Sequence, residues 1–227
     1  MDARLIRLSV VVPALNEAQG IAAALQGLEP LRRRGHEVIV VDGGSADGTP
    51  ELARALCDRV IAAPRGRALQ MNAGAREARG DVLVFLHADT RLPPNADQAI
   101  TNGLREHSWG RFDVEIDGRH PLLGLVACAM NLRSRLTGIA TGDQAIFVRR
   151  DAFHGFAEIA LMEDIAFSKA MKRDGPPACL AQRVVTSGRR WESRGVVRTI
   201  VLMWRLRLMY FLGARPEALA RLYANEP

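Results

Sequence analysis

Four short strand-like runs, each closed by polar or glycine-containing residues and followed by a helical stretch, constrain this chain more than any other feature. They are Leu8–Val12, Val38–Val41, Arg59–Ala62 and Val82–Leu86. A strand that is apolar on both faces must be covered on both faces. Parallel sheets achieve this because every crossover lays a helix across the sheet. Between the runs, Glu17–Leu28 repeats Ala, Ile and Leu at helical spacing, and Pro50–Cys57 follows Thr49 as an N-cap. Arg67–Arg79 reads as a helix, and Asn95–His107 follows Pro93-Pro94. The second half is less regular. It predicts strands over Arg111–Ile116, Gln144–Val148 and Cys179–Val185, and helices over Pro121–Leu136, Glu163–Arg173 and Val196–Leu212. The fold class expected is α/β, with a mostly parallel central sheet flanked by helices. No repeat, low-complexity run or long linker divides the chain, so one domain is expected over 1–227.

The 227 residues are 48% hydrophobic and 25% charged, which excludes a disordered tail protein or a collagen-like fibre. Three scattered cysteines, Cys57, Cys128 and Cys179, spell no zinc site and point to a reducing, cytoplasmic compartment. The N-terminal segment reads as the approach to a first strand rather than as a signal peptide. No stretch reaches the roughly 18 uncharged apolar residues of a spanning helix. The net charge is +6, and the whole excess lies after residue 182. A basic end of this kind can face nucleic acid, an anionic membrane or a phosphate-bearing ligand. With few interleaved aromatics and no nucleic-acid motif, nucleic acid ranks last.

Parallel α/β sheets bind ligands at the carboxyl ends of their strands. The first such end reads Pro13-Ala14-Leu15-Asn16-Glu17, without the GxGxxG of dinucleotide folds or the GxxxxGK[ST] of a P-loop. That weighs against dehydrogenases, many methyltransferases and NTPases. The second ends in Asp42 before a glycine-rich turn; a carboxylate there can accept hydrogen bonds from a base or ribose. The fourth ends in His87-Ala88-Asp89, two polar side chains on one side of an extended segment, suited to a cation or a sugar.

Together, Ser9–Glu17, Val41–Thr49, Leu86–Thr90 and Met162-Glu163-Asp164 resemble the family 2 glycosyltransferases of the GT-A fold, over about residues 8–191. The resemblance implies a nucleotide-diphospho-sugar donor bound by the first half (about 1–110), an acceptor and catalytic half (about 111–192) and a helical extension (193–227). It implies that Pro13, Ala14, Glu17 and Asp42 surround the nucleoside, with Gly43 standing where many members have a second aspartate. Arg67, His87 and Arg190 would face the nucleotide and its diphosphate. Asp89 would hold a divalent cation, Mg or Mn. Asp164 would be the general base of an inverting transfer, with Glu163, Gln144 and Trp191 about the acceptor. A different class competes: a non-catalytic nucleotide-sugar or membrane-surface binding protein. A sugar-phosphate nucleotidyltransferase is a further alternative, although no lysine follows the first strand. The spellings GRALQMNAGA, FLHADT, MEDIAFSK and TSGRRWE resemble a small single-domain subgroup encoded near radical SAM and selenium-type domain proteins, also labelled arsenosugar-associated.

Val197, Ile200, Val201, Trp204, Leu208, Phe211 and Leu212 form one apolar stripe on the last long helix, with Arg194, Arg198 and Arg205 off it. Two covers are open: the protein's own core or a second copy in a homodimer, and an anionic bilayer met from its cytoplasmic face. The second would suit a lipid-linked acceptor, the first a small soluble one.

Overall fold

The computed structural model describes residues 6–225; the first five residues of the N-terminal segment lie outside that range. β1 (Leu8–Ala14) is central. It pairs in parallel with β2 (Glu37–Asp42) on one side and β4 (Val82–Phe85) on the other, and β3 (Arg59–Ala62) extends the parallel array beyond β2. The sheet then changes character. β7 (Phe147–Arg149) runs antiparallel to β4, and β6 (Trp109–Asp117) runs antiparallel to β7. β8 (Ala178–Ser187) is parallel to β6, and the two-residue β5 (Thr90–Arg91) closes the far edge against it. The order is β3-β2-β1-β4-β7-β6-β8-β5.

Alternate residues of the inner strands feed two cores. Leu8, Val10, Val12, Val38, Val40, Val82 and Val84 face one layer, made with α1 (Ile21–Gln26), α2 (Glu29–Arg33), α3 (Thr49–Arg54), α5 (Ala96–Gly103) and α6 (Leu122–Thr137). Val11, Ile39, Val41, Leu83 and Phe85 face the other, made with α4 (Arg67–Glu77) and α7 (Glu163–Met171). This is why the strands read as unbroken apolar runs. A third cluster joins Met162 to Leu202, Leu206 and Leu219 of α9 (Val196–Phe211) and α10 (Pro216–Asn225), which follow the short α8 (Arg189–Arg194).

The structure corrects several expectations. The helix expected over 17–28 begins only at Ile21, because the backbone of 14–18 is tied to the loop after β2. Thr49 is not an N-cap. Gly48, at φ +85°, holds that position, and the fully buried Thr49 hydroxyl accepts the Glu17 N–H at 2.8 Å. The strand expected from Gln144 starts at Phe147, since residues 142–144 form a 3-10 turn and Ala145 has φ +46°.

Most of the stripe on α9 is not covered by the body of the protein, although Ile200 packs half-buried against the larger core. Val197, Val201, Trp204, Leu208 and Phe211 are 59–79% exposed, while Val196, Thr199, Leu202 and Leu206 face inward. The anchoring face is set by contact with Met162 and Leu219, and the larger residues are turned outward.

Candidate active site

The parallel strands deliver their carboxyl ends to one side of the sheet. There the loops after β1 and β2 are stitched together. The Ala14 carbonyl accepts the Gly43 N–H at 2.9 Å and Nε2 of the buried Gln70 at 2.8 Å, and the same Nε2 reaches the Val41 carbonyl. Asn16, at φ +55°, accepts the Ala46 N–H on its side chain and gives its own N–H to Ser45. Pro13 is half-buried and Ala14 buried in this ledge. The Asp42 carboxylate is buried and accepts the N–H groups of Gly44 and Ser45, each at 3.0 Å. Gly43 has a local counterpart: a Cβ there would stand 3.0 Å from the Gln70 amide, so a side chain at this position would make the glutamine, held by its two hydrogen bonds, give way.

Glu17 projects from the first loop toward the end of β4. Burial, and then the charge of Asp89, raise its carboxyl above the usual range, against the pull of Arg189 and Arg190. Arg189 Nη2 lies 3.8 Å from Glu17 Oε2. Asp89 is exposed, and among the described residues its carboxylate oxygens make only a 3.4 Å contact with the neighbouring Thr90 hydroxyl. His87 turns the other way. Its Nδ1 lies 3.2 Å from Asp143 Oδ1, and its ring packs on Gly142, where a Cβ would clash with Nε2. His87 and Asp89 therefore do not converge on one point; His87 ties β4 to the 142–144 turn.

Opposite the first loops stands the amino end of α7. Glu163 is 3% exposed, and its Oε1 accepts Arg67 Nη1 at 3.1 Å. Burial and the neighbouring Asp164 carboxylate push Glu163 above its ordinary range, while Arg67 and His87 pull it back. Asp164 is half-buried; its Oδ2 accepts the Gly142 N–H at 3.1 Å. Burial works against the Arg67 charge, but Glu163, Asp164 and Asp143 hold the guanidinium above its ordinary value. Burial likewise opposes ionisation of Asp143, yet His87, Arg67 and Arg190 keep that carboxyl low. Three non-glycine residues with positive φ are found among the described residues: Asn16, Ala145 and Met162. All three flank these loops. Such backbone costs about 1–3 kcal/mol each and persists where a site demands it.

The remaining sequence-predicted residues divide. Arg190 is at the site: its charge acts on Glu17 and Asp143, and its Nη1 donates to the Tyr223 hydroxyl at 2.6 Å. Gln144 is fully buried, with Nε2 on Ser134 at 3.0 Å and Oε1 accepting the Thr141 N–H at 3.2 Å; its amide braces the turn rather than facing an acceptor. Trp191 packs half-buried against the larger core. Sequence reasoning missed Asp143 as a charged partner, and also Arg133, Arg207, Tyr210 and Tyr223. Arg133 and Arg207 lie on α6 and α9, which pack together. Arg133 Nε and Nη2 and Arg207 Nε are buried without a hydrogen-bond partner. Burial and the neighbouring Arg207 charge pull Arg133 down to about 10, against Asp164 and Asp143. The same two aspartates act on Arg207.

No group of three His, Cys, Asp or Glu side chains among the described residues forms a complete cation cage. Asp89 nevertheless offers an exposed hard-oxygen ligand, close enough to Glu17 for the two negative charges to repel. A divalent cation fits this donor set if the remaining ligands come from phosphate oxygens, as is usual for Mg.

Residues 9–120 match the model of Glycosyl transferase family 2. An undecaprenyl-phosphate 4-deoxy-4-formamido-L-arabinose transferase from Pseudomonas paraeruginosa is 32% identical over 166 residues, covering 62% of this chain and 45% of that protein. A dolichol-phosphate mannosyltransferase from Pyrococcus furiosus is 30% identical over 128 residues, covering 51% of this chain and 34% of that protein. The chain thus spans less than half the length of these curated relatives. Among solved structures, a mannosyltransferase from Pyrobaculum calidifontis, in complex with GDP-Man and Mn2+, superposes with a TM-score of 0.64 at 22% identity, covering 98% of this chain and 70% of that one. TarS from S. aureus superposes at 0.62 with 20% identity, covering 81% and 61%. The fold is the α/β GT-A fold.

Proposed function

With residues 9–120 carrying a Glycosyl transferase family 2 domain, we propose that this chain transfers a sugar from a nucleotide-diphospho-sugar to an acceptor hydroxyl with inversion. The observation that carries the proposal is the convergence of Glu17 and Asp89 on one side, and of Arg67, Glu163 and Asp164 on the other, at the carboxyl ends of parallel strands. Solved neighbours bound to UDP-GlcNAc and to GDP-Man with Mn2+ support a donor of this class.

In this reading the ledge of Pro13, Ala14, Glu17 and Asp42 receives the nucleoside. Arg67 and Arg190 hold the diphosphate, with His87 keeping Asp143 in place beside them. Asp164 takes the proton of the acceptor hydroxyl. The acceptor oxygen bonds to the anomeric carbon as the bond to the diphosphate breaks on the opposite face, and the electron pair leaves with the nucleoside diphosphate. Glu163 fixes the Arg67 guanidinium for its contact with the diphosphate. Asp89 would hold a divalent cation, which when bound offsets charge on the departing diphosphate. No helix among the described residues is long and apolar enough to cross a membrane. The exposed face of α9, beside Arg205, supports a peripheral seat on anionic lipid; its alternative is pairing with a second copy. The four motif spellings support kinship with the small radical-SAM and selenodomain-associated subgroup.

A thermal-shift screen of UDP, GDP and their sugars, with and without Mn or Mg, tests the reading. A nucleotide at a hundred times its Kd stabilises by about 2.7 kcal/mol. A cation-dependent shift that is lost in Asp89→Ala is expected. Equal affinity in EDTA and Mn overturns the cation assignment, and no shift with any nucleotide overturns the function.

A further inference from the structure

Arg133 and Arg207 are a problem the proposed transfer does not solve. Each guanidinium is removed from solvent at one or more nitrogens, and three of their N–H groups meet no acceptor. Burying one unpaired cation is costly, and burying two side by side is worse. Neither helix carries an acidic residue that could pair with them. On α6, Arg135 takes Asp113 at 2.7 Å, while Arg133 one turn-side away takes nothing. A pair of planar guanidiniums with free, inward donors is the arrangement that grips the oxygens of a phosphate or carboxylate.

Packing places the pair beside the turn that holds Asp164: Gln144 Nε2 donates to Ser134, next to Arg133, the Gly142 N–H donates to Asp164, and Met162 packs with Leu206, next to Arg207. The acidic charges that act on Arg133 and Arg207 are those of Asp164 and Asp143. Those that act on Glu17, at the nucleotide ledge, are Asp89 and Asp47. The arginine pair therefore neighbours Asp164, the base of the proposed transfer, where an acceptor would be held.

We propose that Arg133 and Arg207 bind an anionic group of the acceptor, a phosphate ester or a carboxylate, while a hydroxyl of the same molecule faces Asp164. The inference rests on the transferase reading and narrows it to acceptors carrying an anion beside the reacting hydroxyl. An anion there neutralises the two cations and satisfies their orphaned donors. The anion has two sources, a small soluble hydroxy acid or phosphate ester and a lipid-borne phosphate, and both offer the same oxygens.

Calorimetry with inorganic phosphate as the probe tests this on the full chain, alone and saturated with nucleoside diphosphate and Mn. Phosphate is expected to bind in both conditions. R133Q and R207Q should each weaken it roughly 10- to 100-fold, and the charge-retaining R133K and R207K should keep part of the affinity. Melting of the ligand-free variants checks that they fold. Displacement of phosphate by glycerol 3-phosphate supports a soluble acceptor; displacement by phosphatidylcholine vesicles containing phosphatidic acid supports a lipid-borne one. Wild-type phosphate affinity in both R133Q and R207Q overturns the proposal, as does displacement of phosphate by the nucleotide. A failure of nucleotide to bind, with phosphate still lost in the arginine variants, would instead count against the transferase reading alone.

Discussion

Arg67 and Glu163 meet at 3.1 Å across 96 residues of chain, joining the first turn of α4 to the first turn of α7. One end of this bond is buried and the other is 40% exposed. Arg67 is thereby held rigidly at the mouth of the site, and the Glu163 carboxylate has its only charged hydrogen-bond partner among the described residues.

Removing Arg67 should destabilise the fold in a pH-dependent way. Glu163 is already raised above 4.5, so folding takes up a proton there and stability falls as pH rises through that window. Arg67→Gln removes the opposing charge and extends the window upward. The expected loss is about 1 kcal/mol, moderated by solvent around Arg67, and larger near pH 8 than near pH 5. Urea melts at the two pH values measure it; an equal loss at both contradicts the coupling.

Asp143 should contribute acid sensitivity of the opposite sign. Its carboxyl is held below 3.8, so its stabilisation is present above that value and is lost as pH falls through the lower folded one. Asp143→Asn is expected to flatten the acid limb of the stability profile. A limb of unchanged slope would show that the contact with His87 does not hold in solution.

The outer face of α9 should be dispensable for folding. Trp204 and Phe211 are 71% and 79% exposed, so W204E and F211E are expected to change stability by less than about 0.5 kcal/mol. Flotation with anionic vesicles, expected for the wild type at low salt and weakened by added salt, should be lost in the double variant. Unaltered flotation would remove α9 from the membrane contact, and a concentration-dependent dimer lost in the same variant would assign the face to a second copy.

The sheet was legible because its inner strands are covered twice, so Val10-Val11-Val12 and Val38–Val41 carry no polar alternation to confuse. Asp42 and the His87-Ala88-Asp89 segment stood out as polar residues closing apolar runs, whereas Asp164, in the first turn of a helix, was singled out only through the family resemblance. The loops were not. Residues 17–20 read as the start of a helix, yet Thr49 and Asp47 capture the Glu17 and Ala18 N–H groups from another loop, which no local pattern reveals. Arg133 and Arg207 look like solvated arginines on amphipathic helices. They join the site only because α6 and α9 pack, and the face by which α9 packs, through Leu202 and Leu206, is the less hydrophobic-looking one.

The central claim is that Asp164 is the base of a transfer whose donor lies across the cleft, and turnover of the Asp164→Asn variant tests it most directly. With Mn and the UDP- or GDP-sugar that gives the largest thermal shift, donor hydrolysis by the wild type supplies a rate with water as acceptor. The variant is expected to lose roughly 10²–10⁴-fold in that rate while its calorimetric affinity for the nucleotide stays as in the wild type. Turnover near the wild-type rate, with nucleotide bound equally well, would contradict the account.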